Sequence, residues 1–150
     1  MTRFVVIDTN VVVSGTLRGD EATPPKQIVQ AMIGGHLRFL LSNELLREYR
    51  RVLLRPLIAQ RHGLAEAQVD ALLLDIVLGA TMRELVTVSE GADRIGTAAG
   101  PVPAGDIHIA ELLRTMSGSV LVTGDRRLAE VVGPWCETFS PADFAATLPR

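Results

Sequence analysis

The chain has 150 residues with a mass of 16.2 kDa; 47% of them are hydrophobic, 21% are charged, and the formal net charge is −2. A chain of this length is the size of one ordinary domain and buries a core without disulfides or structural metal, so residues 1–150 are expected to form a single domain. Charges interrupt every apolar run well before the roughly 18 residues of a membrane-spanning helix, the lone Cys136 excludes an internal disulfide, and His36, His62 and His108 lack zinc-ligand spacing.

From the amino terminus, Phe4-Val5-Val6-Ile7 predicts a short strand buried on both faces, with Asp8 at its carboxyl end. This run is too short for a signal-peptide core, and with the single cysteine it leads to the expectation of a cytoplasmic protein. A helix over Pro25–Ile33 stops at Gly34-Gly35, a strand follows over Leu37–Leu41, and a second helix covers Asn43–Leu54 before Pro56. A third helix spans Glu66–Leu78 before Gly79, and Arg83–Val88 reads as a strand. Gly96–Gly105, with Pro101 and Pro103, reads as a loop. Asp106–Met116 is a helix ended by Gly118, Ser119–Val122 a strand, and Arg126 opens a last predicted helix. Alternating strands and helices predict a three-layer α/β/α sandwich around a mainly parallel sheet with right-handed crossovers. Ligands of such folds bind beyond the carboxyl ends of the strands.

Asp8, Asp106 and Asp125 each stand at a junction leading into a helix or turn, Asp125 reached through Thr123-Gly124. For any one of them the ordinary explanation is a helix cap, since Asp accepts hydrogen bonds from the first free N–H groups. Three together on one rim of a parallel sheet repel each other, and a hard divalent cation such as Mg²⁺ or Mn²⁺ turns that repulsion into binding. The helix after Ser42 offers Glu44 and Glu48 as a fourth carboxylate. Leu45, Leu46, Tyr49, Val52 and Leu53 form its apolar face, with Glu48 at the margin and Glu44 farther toward solvent. Glu48 is therefore the candidate, the alternative being an exposed helical partner for Arg51 or Arg55.

Arg47, Arg50, Arg51 and Arg55 suit either a phosphodiester or a solvated face, and the second is the more ordinary reading. His108 reads as a helix-start or surface residue, and Tyr49 and Trp135 as packing residues. A pI near 5.9, with Lys26 the only lysine, lacks the basic excess of most nucleic-acid binders.

Four segments carry a family resemblance: Val6-Ile7-Asp8-Thr9-Asn10 with the valines after it, Leu41-Ser42-Asn43-Glu44-Leu45-Leu46-Arg47-Glu48-Tyr49, Gly105-Asp106-Ile107-His108-Ile109-Ala110, and Leu121-Val122-Thr123-Gly124-Asp125. In order and spacing the chain resembles PIN-domain nucleases, in particular the bacterial toxins of toxin–antitoxin pairs (VapC-like). The resemblance implies that Asp8, Glu48, Asp106 and Asp125 gather as catalytic and metal-binding residues around Mg²⁺ or Mn²⁺, with Asn10 and Thr123 supporting them. It implies hydrolysis of single-stranded RNA, a cognate antitoxin protein as partner, and a homodimer. Relatives commonly carry a further acidic or polar residue beside the third motif or two places after the last Asp; here those surroundings are Pro103-Ala104-Gly105 and Arg127, which leaves one or two metal ions open.

Two other functions compete on the residues alone. A phosphatase with Asp8 as covalent nucleophile needs a carboxylate two places on as general acid, where this chain has Asn10, and a late lysine that it lacks. A non-catalytic PIN-like module that binds a partner through its acidic pocket fits poorly with four intact carboxylates.

Overall fold

The computed structural model describes residues 3–19, 21–85 and 102–149. β1 (Val5–Ile7) pairs in parallel with β4 (Val120–Val122), Val5 opposite Val120 and Ile7 opposite Val122, and β4 pairs in parallel with β5 (Glu137–Phe139). β2 (Leu40–Leu41) pairs in parallel with β3 (Thr81–Met82). A parallel bridge from Val5 to Phe39, with the Val5 N–H donating to the Arg38 carbonyl at 3.1 Å, joins the two pieces along the free edge of β1. The order across the sheet is therefore β3-β2-β1-β4-β5. Every residue of β1, β2 and β4 is buried, which apolar β-branched and leucine runs tolerate and which helices on both faces require.

The helices start where local chemistry supplies partners for their free N–H groups. Asp8 caps α1 (Thr9–Thr16), Thr23 caps α2 (Pro24–Ile33) with proline in its first turn, and the Ser42 hydroxyl accepts from Leu45 N–H at 3.1 Å to open α3 (Asn43–Leu53). Pro56 begins α4 (Pro56–His62), and Gly63 ends it in the left-handed region at φ 72°. α5 (Glu66–Gly79) follows, with the Gln68 side chain accepting from Ala65 N–H. Beyond β3, a 3₁₀ turn over Ala104–Asp106 leads into α6 (Ile107–Arg114), and α7 (Arg126–Val132) and α8 (Pro141–Ala145) follow β4 and β5.

From β1 the chain moves one way to β2 and β3, then the other way to β4 and β5, so right-handed crossovers divide the helices between the two faces. α2 packs on α1, α5 and α8, while α6 packs on β1 and β2. The result is the expected α/β/α sandwich. His62, inside this packing, is a satisfied structural histidine: its Nδ1 accepts from Leu64 N–H at 2.9 Å and its Nε2 faces the Leu53 carbonyl at 2.7 Å.

Some expected elements differ. The third strand lies over Thr81–Met82 and not Arg83–Val88, because its partner β2 has two residues before Ser42 turns the chain into α3; the ladder ends with Arg83 N–H donating to Leu41 O at 2.8 Å. Val86, Thr87 and Val88 lie outside the described residues, as do positions 96–101 of the expected loop. The last expected helix before β4 starts at Ile107 and ends at Arg114. α1, α4, β5 and α8 had no clear periodic signal; α1 hides because Thr9, Val11, Val12 and Val13 are all buried and leave little polar face.

Candidate active site

The helices change faces at β1, so the carboxyl ends of β1 and β4 form the crevice in which open α/β sheets bind ligands. Asp8 is the first residue past β1, and its N–H continues the ladder to the Val122 carbonyl at 3.0 Å. Its carboxylate is buried, with Oδ1 accepting from Thr9 N–H at 2.8 Å and Oδ2 from the Thr123 hydroxyl at 2.6 Å. That hydroxyl also accepts from Asp125 N–H at 3.0 Å, so its one proton is directed at Asp8. Asp125 in turn accepts from Arg127 N–H at 3.0 Å and Leu128 N–H at 3.2 Å at the start of α7. One chain of bonds therefore runs from the end of β1 across to the end of β4.

Glu48 arrives from the other side. Tyr49 is fully buried on α3 and its hydroxyl donates to the carbonyl of Ile7, which pins the helix to the end of β1 and brings the neighbouring Glu48 to the rim. Glu48 Oε2 accepts from the Thr9 hydroxyl, while Oε1 faces Arg51 and His108 Nε2, each at 3.6 Å. Asp106 closes the arrangement at the head of α6; its side chain makes no capping bond.

The four carboxylates feel one another. Burial pushes the Asp8 carboxyl up, opposed by the Thr123 and Thr9 hydrogen bonds and reinforced by the charges of Glu48 and Asp125. Burial, then Asp8, Asp125 and Glu48 in turn, raise Asp106 to about 6. Glu48 goes the other way: the His108 imidazole beside it, the Thr9 hydroxyl and Arg51 hold it below the usual carboxylate range against its burial. Among the described residues, no ion pair reaches Asp8, Asp106 or Asp125.

A family model described as PIN domain matches residues 4–127. The chain belongs to the PIN-domain family. PIN domains are typically nucleases, hydrolases that generally use divalent metal ions. A search of curated proteins finds no match.

The donor set of this PIN domain fits a hard, hydrated dication. Its groups are carboxylate oxygens that have no cationic partner among the described residues, and their repulsion is what such an ion relieves. Among the described residues no three His, Cys, Asp or Glu side chains are disposed to ligate one ion directly. Mg²⁺ seldom demands that, since it keeps several waters and takes one or two carboxylates together with substrate phosphate.

The structure brings Asp8, Glu48, Asp106 and Asp125 into one electrostatic neighbourhood and ties Thr123 to Asp8 and Asp125 directly. It does not bring Asn10 in: that residue is exposed on α1, and the contact with Glu48 is made by Thr9. Helix capping explains part of Asp8 and Asp125, which each accept from the N–H groups that follow, and none of Asp106. Glu44 is exposed, as the helical pattern predicted. His108 stands at the start of α6, one of the two places expected for it, but not at the surface: its side chain is 19% exposed, and among the described residues its buried Nδ1 has no hydrogen-bond partner. Its place two residues after Asp106 is visible in the sequence; that this turn of α6 faces Glu48 is not.

Proposed function

We propose that this PIN domain is an endoribonuclease that hydrolyses phosphodiester bonds of single-stranded RNA with Mg²⁺ or Mn²⁺ held by Asp8, Asp106 and Asp125. The observation that carries the reading is the unequal state of the four carboxylates: among the described residues three have no cationic partner, while Glu48 has both oxygens engaged by Thr9, Arg51 and His108. A divalent cation bound there supplies an acidified water and neutralises charge on the phosphate. Thr9 N–H and the Thr123 hydroxyl hold Asp8 in one orientation, and the cap bonds to Arg127 and Leu128 do the same for Asp125. Glu48, fixed and ionised, orients the attacking water.

The same reading assigns the chain the role of toxin in a cytoplasmic toxin–antitoxin pair, acting as a single domain and as a homodimer. It is supported by the motif resemblance, by the buried, unpaired Cys136, and by an acidic rim suited to an antitoxin that inserts a cationic side chain. The test is cleavage of defined single-stranded RNAs by the purified chain and by Asp8→Asn, with Mn²⁺ and with EDTA. Cleavage should require the cation and fall at least a hundredfold in the variant; undiminished cleavage by Asp8→Asn overturns the assignment. Growth arrest on expression, relieved by the product of an adjacent reading frame, tests the toxin role.

A further inference from the structure

The weakly acidic balance of the whole chain hides a local concentration of arginine. Sheet order sets three junctions side by side: α3 after β2, Asp8 after β1, and α7 after β4, so Asp8 lies between α3 and α7. On the α3 side, Arg51 stands beside Glu48 with 67% of its side chain exposed. Arg47 lies one turn earlier, exposed and, among the described residues, without an ion pair. Four residues of helix separate the two by about 6 Å. Arg50 is different: Asp70 and Glu66 bind its guanidinium, and it fastens α3 to α5. Folding accounts for Arg50 and leaves Arg47 without a task.

On the α7 side, Arg126 and Arg127 fill the first helical turn, directly after the Asp125 carboxylate that caps it. Both are exposed, no acidic residue shares that turn, and neither has an ion pair among the described residues.

We propose that Arg47 and Arg51 on one bank, and Arg126 and Arg127 on the other, hold the phosphates of a single-stranded polynucleotide to either side of the bond cleaved. The assignment rests on the phosphodiesterase reading above. Guanidinium groups bind phosphate oxygens as planar forks, and phosphate contacts fix register without reading bases. RNA and DNA strands of one sequence are therefore held alike by these four residues.

The test is fluorescence anisotropy with labelled single-stranded RNA and DNA of one sequence, in Mg²⁺, on the Asp8→Asn chain. It compares that parent with Arg47→Gln/Arg51→Gln, Arg126→Gln/Arg127→Gln, the matching lysine pairs, and Arg114→Gln at the far end of α6. Each glutamine pair should weaken binding at least tenfold at low salt, and flatten the slope of log K against log salt by roughly 0.7 per arginine removed. The lysine pairs should keep the slope, Arg114→Gln should change nothing, and thermal melts should match the parent. A glutamine pair that binds like the parent, or equal weakening by Arg114→Gln, overturns the proposal. Arginine-dependent binding by a wild-type chain that cleaves no RNA defeats the ribonuclease reading and leaves the arginine banks standing. Cleavage with unchanged KM in both glutamine pairs does the reverse.

Discussion

Replacing Asp106 by asparagine should stabilise the metal-free protein at neutral pH while removing much of the stabilisation that Mn²⁺ confers. The folded carboxyl holds its proton up to about 6 against an ordinary value of 3.8, because burial and the charges of Asp8, Asp125 and Glu48 disfavour ionisation. A raised folded-state pKa in an acid means that the folded chain binds the proton more tightly than the unfolded one. Stability is therefore lost as pH rises from about 4 to about 6, and the whole penalty is present at pH 7. A shift of this size corresponds to about 3 kcal/mol before screening; the group is half-exposed, and screening by solvent reduces that to about 1 kcal/mol. Among the described residues the carboxylate makes no capping bond that asparagine would forfeit. The expected gain in Tm for a chain of this length is about 2–4 °C at pH 7, and close to none at pH 4, where the folded wild-type carboxyl keeps its proton and carries no charge to be repelled. Thermal unfolding followed by circular dichroism, in EDTA at the two pH values and again with Mn²⁺ at pH 7, reads all of this. An equal gain at pH 4 and pH 7, or a loss at pH 7, refutes the electrostatic assignment.

Tyr49→Phe keeps the buried ring and removes the donor to Ile7 O, and it should cost about 1–2 kcal/mol in urea unfolding; an unchanged midpoint would mean that α3 is not pinned through this bond. Thr9→Val preserves the backbone bond to Asp8 and deletes the hydroxyl that holds Glu48, so kcat should fall with the fold intact and recover in Thr9→Ser, as steady-state kinetics on a defined RNA will read. Gly15→Ala would put a methyl 2.5 Å from Val29 Cγ2 and 2.6 Å from the Pro25 carbonyl, forcing α1 and α2 apart. The expected loss is about 1–3 kcal/mol despite alanine's better helix propensity, measured by the same unfolding assay.

The architecture was legible because its inner strands β1, β2 and β4 are short unbroken apolar runs and its longer helices end at or shortly before glycine or proline. Asp8 and Asp125 were visible for the same reason: each stands just past a strong strand. Glu48 was separable from Glu44 because Leu45, Tyr49, Val52 and Leu53 fix which face of α3 is buried. What the sequence concealed depends on contacts between distant segments. Thr9 and Asn10 are equally polar neighbours, and only the direction in which α1 leaves β1 decides that Thr9 meets Glu48. His108 gains its place from α6 lying against α3, a tertiary fact with no periodic signature. The edge strand was misplaced because the length of β2 limits it, and β2 is cut short by Ser42.

Overall charge was the least informative quantity, and the geometry explains why. A net charge of −2 averages over a surface on which Asp8, Glu48, Asp106 and Asp125 are gathered at one rim, with Arg47, Arg51, Arg126 and Arg127 in the helices beside it. Those charges cancel, so the metal-free rim offers a polyanion no net attraction, and its carboxylates repel phosphate at short range. One bound dication makes the same rim positive without moving a side chain. In the proposed assembly the cation therefore governs both chemistry and substrate capture, and the exposed arginines at the head of α7 acquire a partner when metal and phosphate are both present. The mutual repulsion of the carboxylates is then a cost of the resting protein alone, offset in the complex that the site is built to form.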